Sequence, residues 1–123
     1  MAYHDELIAA ITEWNQNPIG DEWLFERFRE RAINCLSPAD AFNAIGDTVT
    51  VLVQQSDEST ATEVVQTLIG LARQSDTTEV HPVLLNHVVD LMNQFASFGD
   101  YARGKLNELL RFYRLPQHRE CHD

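Results

Sequence analysis

The sequence predicts an all-α fold: about six antiparallel helices arranged in three hairpins. Three observations lead there. Apolar residues recur at steps of three and four through most of the chain. Helix start and stop residues punctuate it at intervals of one helix. Strand signals are almost absent. Only residues 48–53, Thr-Val-Thr-Val-Leu-Val, read as β by composition, and they lie inside a longer helical pattern.

The expected helices span residues 5–15, 21–36, 38–54, 61–74, 82–98 and 101–114. The third begins at Ser37-Pro38-Ala39-Asp40, with a hydroxyl to cap it, proline at the first helical position and an early carboxylate. Its face is Ala41, Phe42, Ile45, Val49, Leu52 and Val53. For the fourth, Thr60 and Glu63 have the spacing of a capping box, and the face is Ala61, Val64, Val65, Leu68, Ile69 and Ala72. The fifth shows Leu84, Leu85, Val88, Leu91, Met92 and Phe95, with Gly99 placed to close it. Asp100 is placed to cap the sixth, which shows Ala102, Leu106, Leu109, Leu110 and Tyr113. Connections of one to seven residues make successive helices antiparallel neighbours. Hairpins starting near residues 5, 38 and 82 fall at helical-repeat spacing. A HEAT-like stack and an irregular bundle both satisfy that pattern.

The 123 residues fit one domain, expected over 1–116, with a tail at 117–123. A chain of this length buries enough surface to fold without a disulfide or metal. Its two cysteines, Cys35 and Cys121, form no framework, which points to a reduced, cytoplasmic setting. The N-terminus is acidic before a short apolar run, unlike a secretory signal, and no apolar run approaches a membrane span.

Charge narrows the function classes. Nine Lys and Arg against 19 Asp and Glu give a net charge of −10, which disfavours nucleic acid and anionic membranes and favours a basic protein partner. The acid is concentrated: residues 32–102 hold nine carboxylates and one cation, Arg73, whereas residues 103–123 hold five cations and three carboxylates.

Catalytic and metal motifs are missing from the sequence: no GxSxG, HExxH, Walker A, GxGxxG or EF-hand loop. His81 and His87, six apart, do not share a helix face. The tail His118-Arg119-Glu120-Cys121-His122-Asp123 has metal-ligand residue types and nothing to orient them. Cys35, between Ile33 and Leu36, reads as a buried structural thiol. Glu22, Glu26 and Glu30 stack on one helical stripe, where partners such as Glu26 with Arg29 and Arg27 with Glu30 offset like-charge repulsion. No catalytic residue, cofactor or metal is therefore expected.

Binding candidates are clearer. Trp14 and Trp23 flank one turn, either closing the first hairpin or leaving Trp23 as an exposed anchor for a partner. Ser56-Asp57-Glu58-Ser59 and Ser75-Asp76-Thr77-Thr78-Glu79 bracket the fourth helix with carboxylates and hydroxyls. With Asp47 on the third helix, these loops offer acceptors to Lys and Arg donors.

The segments EWLFERFRERAINCLSPADAFNAIGD, ARQSDTTEVHPVLL and LNELLRFYRL, in a small acidic helical chain, resemble the helical immunity proteins of bacterial polymorphic-toxin and contact-dependent growth-inhibition systems. The resemblance runs from about Glu22 to Leu115. It implies a cytoplasmic, non-enzymatic binder that neutralises one cognate toxin domain, often a nuclease. On that reading Trp23, Asp47, Asp57, Glu58, Asp76 and Glu79 are the candidate contacts to a basic toxin surface. A helical-repeat adaptor or regulatory subunit is the alternative.

Overall fold

The computed structural model describes residues 2–16 and 23–115. Six helices follow in order: α1 (Ala2–Gln16), α2 (Leu24–Ile33), α3 (Pro38–Leu52), α4 (Glu58–Gln74), α5 (Pro82–Phe95) and α6 (Asp100–Phe112). Among the described residues there is no strand, and no helix is long and apolar enough to cross a membrane. The β-like run at 48–53 belongs to α3 and the turn that ends it.

Packing follows a regular scheme. Hairpin α1–α2 lies against α3–α4, which lies against α5–α6. The first helices α1, α3 and α5 form one layer, and the second helices α2, α4 and α6 form the other. The bundle is thus a stack of three hairpins. The α3–α4 interface is the most extensive, and α4 touches α1, α2, α3 and α6.

Core positions follow the helical period. The predicted faces of α4 and α6 are buried throughout. Ala41, Ile45, Val49 and Leu52 do the same on α3, while Phe42 sits half-buried against the His81 ring, centroids 5.1 Å apart. Trp14 packs edge-on to Phe25 at 5.3 Å and Phe25 edge-on to Phe28 at 6.2 Å. Two buried hydroxyls pin α1 to α3. Thr48 donates to the Ala44 carbonyl at 2.8 Å, so the Tyr3 hydroxyl donates to Thr48 Oγ1 at 2.7 Å.

Helix ends depart from expectation at several points. Ser37 caps α3 as predicted, accepting from the Asp40 amide at 3.1 Å. The capping box at Thr60–Glu63 does not form. Asp57 caps α4 instead, accepting from the Thr60 amide at 2.9 Å, and Thr60 is buried with its hydroxyl donated to Asn15. Asp is at least as strong a cap as Thr, and starting three residues earlier gives Thr60 and Ala61 to the core. Asp100 does not cap α6. Gly99 holds the cap position, and its amide donates to Glu58 Oε2 at 3.0 Å. Gly99 does not close α5, which ends at Phe95 before Ala96. α2 is shorter than predicted, ending at Ile33, so Cys35 falls in the following turn and is exposed rather than buried. Leu85, predicted to face the core, is 55% exposed.

One close approach makes a sharp test. His81 caps α5, its Nδ1 accepting from the Val83 amide at 3.1 Å, and its ring lies over Gly46 of α3. A Cβ at position 46 would stand 2.8 Å from His81 Cε1. Because cap and stacking both hold the ring, it has no easy retreat. Gly46→Ala is expected to destabilise, overpacking at ~1–3 kcal/mol outweighing a helix-propensity gain of at most ~1 kcal/mol. In a His81→Ala background the same change is expected to stabilise. Thermal melts of the four proteins check that reversal of sign.

Candidate functional site

The predicted contact residues do not gather into one patch. Asp57 and Glu58 start α4, whereas Asp76 and Glu79 follow its end. Seventeen helical residues rise about 25 Å, so the two loops occupy opposite ends of the bundle. Asp47 is exposed along α3, between them. Trp23, at the start of α2, is 56% exposed while its neighbour in sequence reasoning, Trp14, is half-buried on the core.

Two of these carboxylates already have structural work. Asp57 Oδ2 accepts from the Thr60 amide at 2.9 Å and, at 3.0 Å from the Thr60 hydroxyl, shares that one proton with Asn15. Glu58 ties the α4 start to Gly99, between α5 and α6. Asp76 adopts a left-handed backbone with φ 58° directly after α4, a conformation Asp tolerates better than most residues. Its side chain and that of Glu79 are exposed.

A larger pattern appears when charge is sorted by layer. Helices α2, α4 and α6 carry Arg27, Arg29, Arg31, Arg73, Arg103, Lys105 and Arg111. Helices α1, α3 and α5 carry Asp5, Glu6, Glu13, Asp40, Asp47 and Asp90, and no Lys or Arg. The cations of the mixed layer are partly consumed as ties between hairpins. Arg29 of α2 meets Glu63 of α4 at 3.0 Å, and Arg73 of α4 meets Glu108 of α6 at 3.2 Å, with Lys105 also on Glu108 at 3.5 Å. Arg29 was expected to face Glu26 within its own helix, but Glu63 across the seam takes it. In the acidic layer, Asp5, Glu6, Asp40, Asp47 and Asp90 are exposed and have no ion-pair partner among the described residues. Asp40 and Asp47 are seven residues apart, two turns along the same side of α3, the central helix of that layer.

Among the described residues, one cleft of about 530 Å³ is lined by Arg73, Asp76, Thr77, Thr78 and Phe112, at the end of α4, and two more lie along the mixed layer. A groove of about 310 Å³ between α2 and α4 is lined by Arg29, Glu30, Ile33, Gly70, Arg73 and Gln74. Another, of about 370 Å³, is lined by Glu58, Ser59, Thr62, Glu63 and Tyr101. Their principal charged groups are already bonded, Glu58 to Gly99, Glu63 to Arg29 and Arg73 to Glu108. Among the described residues, no three His, Cys, Asp or Glu side chains converge to hold a metal. The tail cluster from His118 to Asp123, and Glu22 of the carboxylate stripe, lie outside the described residues. His87 is half-buried with Nδ1 2.8 Å from the Val83 carbonyl, a local helix contact.

Sequence reasoning missed the layer because it followed acid along the chain rather than across alternate helices. The signal was present: cations are absent from every first helix of a pair. Comparison with protein-family models, curated protein sequences and solved structures finds no match.

Two phenols carry a pH signature. Burial pushes the Tyr113 hydroxyl up to about 12, and it has no hydrogen-bond partner among the described residues. Burial also raises Tyr3 well above the usual phenol range. The Thr48 hydrogen bond opposes that shift, and the Asp47 carboxylate adds to it. A group whose acidity is weakened by folding keeps its proton longer in the native state, so its contribution is intact below the ordinary value of 10 and lost as pH rises through the folded one. Stability is therefore expected to fall between pH 10 and about 12. Urea titrations across that range check it, and Tyr113→Phe should flatten the decline.

The cap at Asp57 gives a second test. Asp57→Ala is expected to cost about 1 kcal/mol, and Asp57→Asn much less, because Asn still accepts from the Thr60 amide. Denaturation midpoints of the two variants separate the cap from the charge.

Proposed function

We propose that this chain is a non-enzymatic immunity protein that binds and neutralises one cognate bacterial toxin domain, a basic nuclease, through an acidic surface. The observation that carries the reading is the cation-free layer formed by α1, α3 and α5. Among the described residues Asp5, Glu6, Asp40, Asp47 and Asp90 have no ion-pair partner, so the field they create extends into solvent and complements a surface built to hold polyanions. Asp47 sits in this layer, and the acidic tips at Asp57–Glu58 and Asp76–Glu79 lie at the two ends of α4. Trp23 supplies an exposed aromatic side chain of the kind that concentrates binding energy at interfaces.

Inhibition on this reading is occlusion. Carboxylates take the places that substrate phosphates would occupy on Lys and Arg donors, and long-range attraction raises the rate of encounter. A helical-repeat adaptor is the second reading, favoured by the stack of three hairpins. An inhibitor holds one partner tightly, whereas an adaptor holds several weakly.

The test is capture, at low and high salt, of the product encoded beside the gene for this chain, followed by assay of its toxicity. One tight partner whose activity is lost on binding is expected. The triple variant Asp40→Lys, Asp47→Lys, Asp90→Lys should slow association by about tenfold or more and weaken its salt dependence. Unchanged association would remove the α1–α3–α5 face from the interface, and several weak, non-toxic partners would favour the adaptor.

A further inference from the structure

Helix α5 has a second apolar side. Leu84, Val88, Leu91 and Phe95 face the core, but Leu85 and Val89, one turn apart, are 55% and 67% exposed. The orientation of α5 is set by Gln94, whose amide donates to the carbonyls of Leu52 and Gln55 at 2.9 and 2.6 Å, closing the end of α3. At about 100° per residue, Leu85 and Val89 lie roughly 140–180° around the helix from Gln94, on the flank turned away from α3. That flank is an end of the stack. Terminal helices of stacked hairpins ordinarily show a polar outer face. At the opposite end α1 exposes Asp5, Glu6, Thr12 and Glu13 with one large apolar side chain, Ile8 at 41%, whereas α5 exposes two, more fully and one turn apart.

Charge identifies the occupant. The α5–α6 hairpin, residues 82–114, holds Asp90, Asp100 and Glu108 against Arg103, Lys105, Arg111 and Arg114, a net of +1 in a chain of −10. A second copy is repelled by the remainder of this acidic surface but not by this hairpin. A basic partner, conversely, is drawn to the acidic layer and gains nothing from this patch electrostatically. Because α6 runs antiparallel to α5, Arg111 and Arg114 lie at the Leu85 end and Asp100 at the other. An antiparallel two-fold pairing of α5 with α5 brings the Leu85–Val89 stripes together and carries the cations of each α6 end towards Asp100 of the other copy.

We propose that Leu85 and Val89 form the centre of a two-fold self-association surface, the occupant being a second copy of this chain. The inference is independent of the toxin reading. Sedimentation equilibrium of the full chain from about 1 to 500 μM tests it, with a reversible monomer–dimer equilibrium expected. Leu85→Glu and Val89→Glu should each weaken the dimer by about tenfold or more while melting curves hold, since both side chains are exposed. As a check independent of those variants, the double change Leu85→Cys, Val89→Cys in a Cys35→Ser, Cys121→Ser background should form a disulfide-linked dimer under mild oxidation, because antiparallel pairing sets position 85 of one copy opposite position 89 of the other. A monomer at every concentration, open-ended oligomers, a dimer indifferent to both glutamates, or failure of the cysteine variant to cross-link would each overturn the two-fold α5 surface.

Discussion

Burial of α4 on nearly all sides is the constraint on which the rest of the fold depends. Ten of its 17 residues are buried, and its neighbours include helices from all three hairpins. A helix in that position cannot be apolar throughout without losing a defined register, and α4 contains Thr60, Thr62 and Thr67 among its buried residues. Their hydroxyls are satisfied locally. Thr62 donates to the Glu58 carbonyl at 2.8 Å and Thr67 to the Glu63 carbonyl at 3.0 Å, so neither leaves an orphaned donor in the core. Thr60 reaches instead to Asn15 of α1 and to the cap Asp57. The centre of the protein is therefore held by apolar area and positioned by a few short polar contacts.

The seams between hairpins divide the electrostatics. Along α2, α4 and α6, ion pairs cross each seam, and guanidinium groups needed there are placed there. Along α1, α3 and α5 the seams are closed by apolar contacts and by neutral hydrogen bonds, Tyr3 to Thr48 and Gln94 to the α3 terminus. α1, α3 and α5 carry no Lys or Arg, and Asp5, Glu6, Asp40, Asp47 and Asp90 stand exposed along them. Stability and surface charge overlap at only a few residues. Asp57 and Glu58 do both, so their substitution changes the fold's ends together with the field; Asp40, Asp47 and Asp90 are the better probes of charge.

Much of the fold was legible because periodicity reports which side of a helix is buried. The α4 and α6 faces were read without error, and Ser37-Pro38 marked the α3 start by local chemistry alone. The failures share a cause. Leu85 continues the apolar pattern of α5, but periodicity measures apolarity and not whether a neighbour arrives to cover it. Cys35 adjoins Ile33 and Leu36, yet the helix stops at Ile33 and the turn carries the thiol outward. Gly99 and Asp100 looked like a local stop and start, whereas Glu58, 41 residues distant, claimed the Gly99 amide.

The sequence by itself determined the all-α class, the six helices, most of the core and the strength of the negative charge. Each of these follows from neighbours within one or two turns or from summed composition. Only the tertiary structure decided that the hairpins stack in two layers, that the acidic tips stand at opposite ends of α4, and that one layer is free of cations. Those properties depend on which helix lies beside which, and that is set by contacts between residues 30 to 45 positions apart, such as Arg29 with Glu63 and Tyr3 with Thr48. Local pattern carries no information about them until the chain has folded.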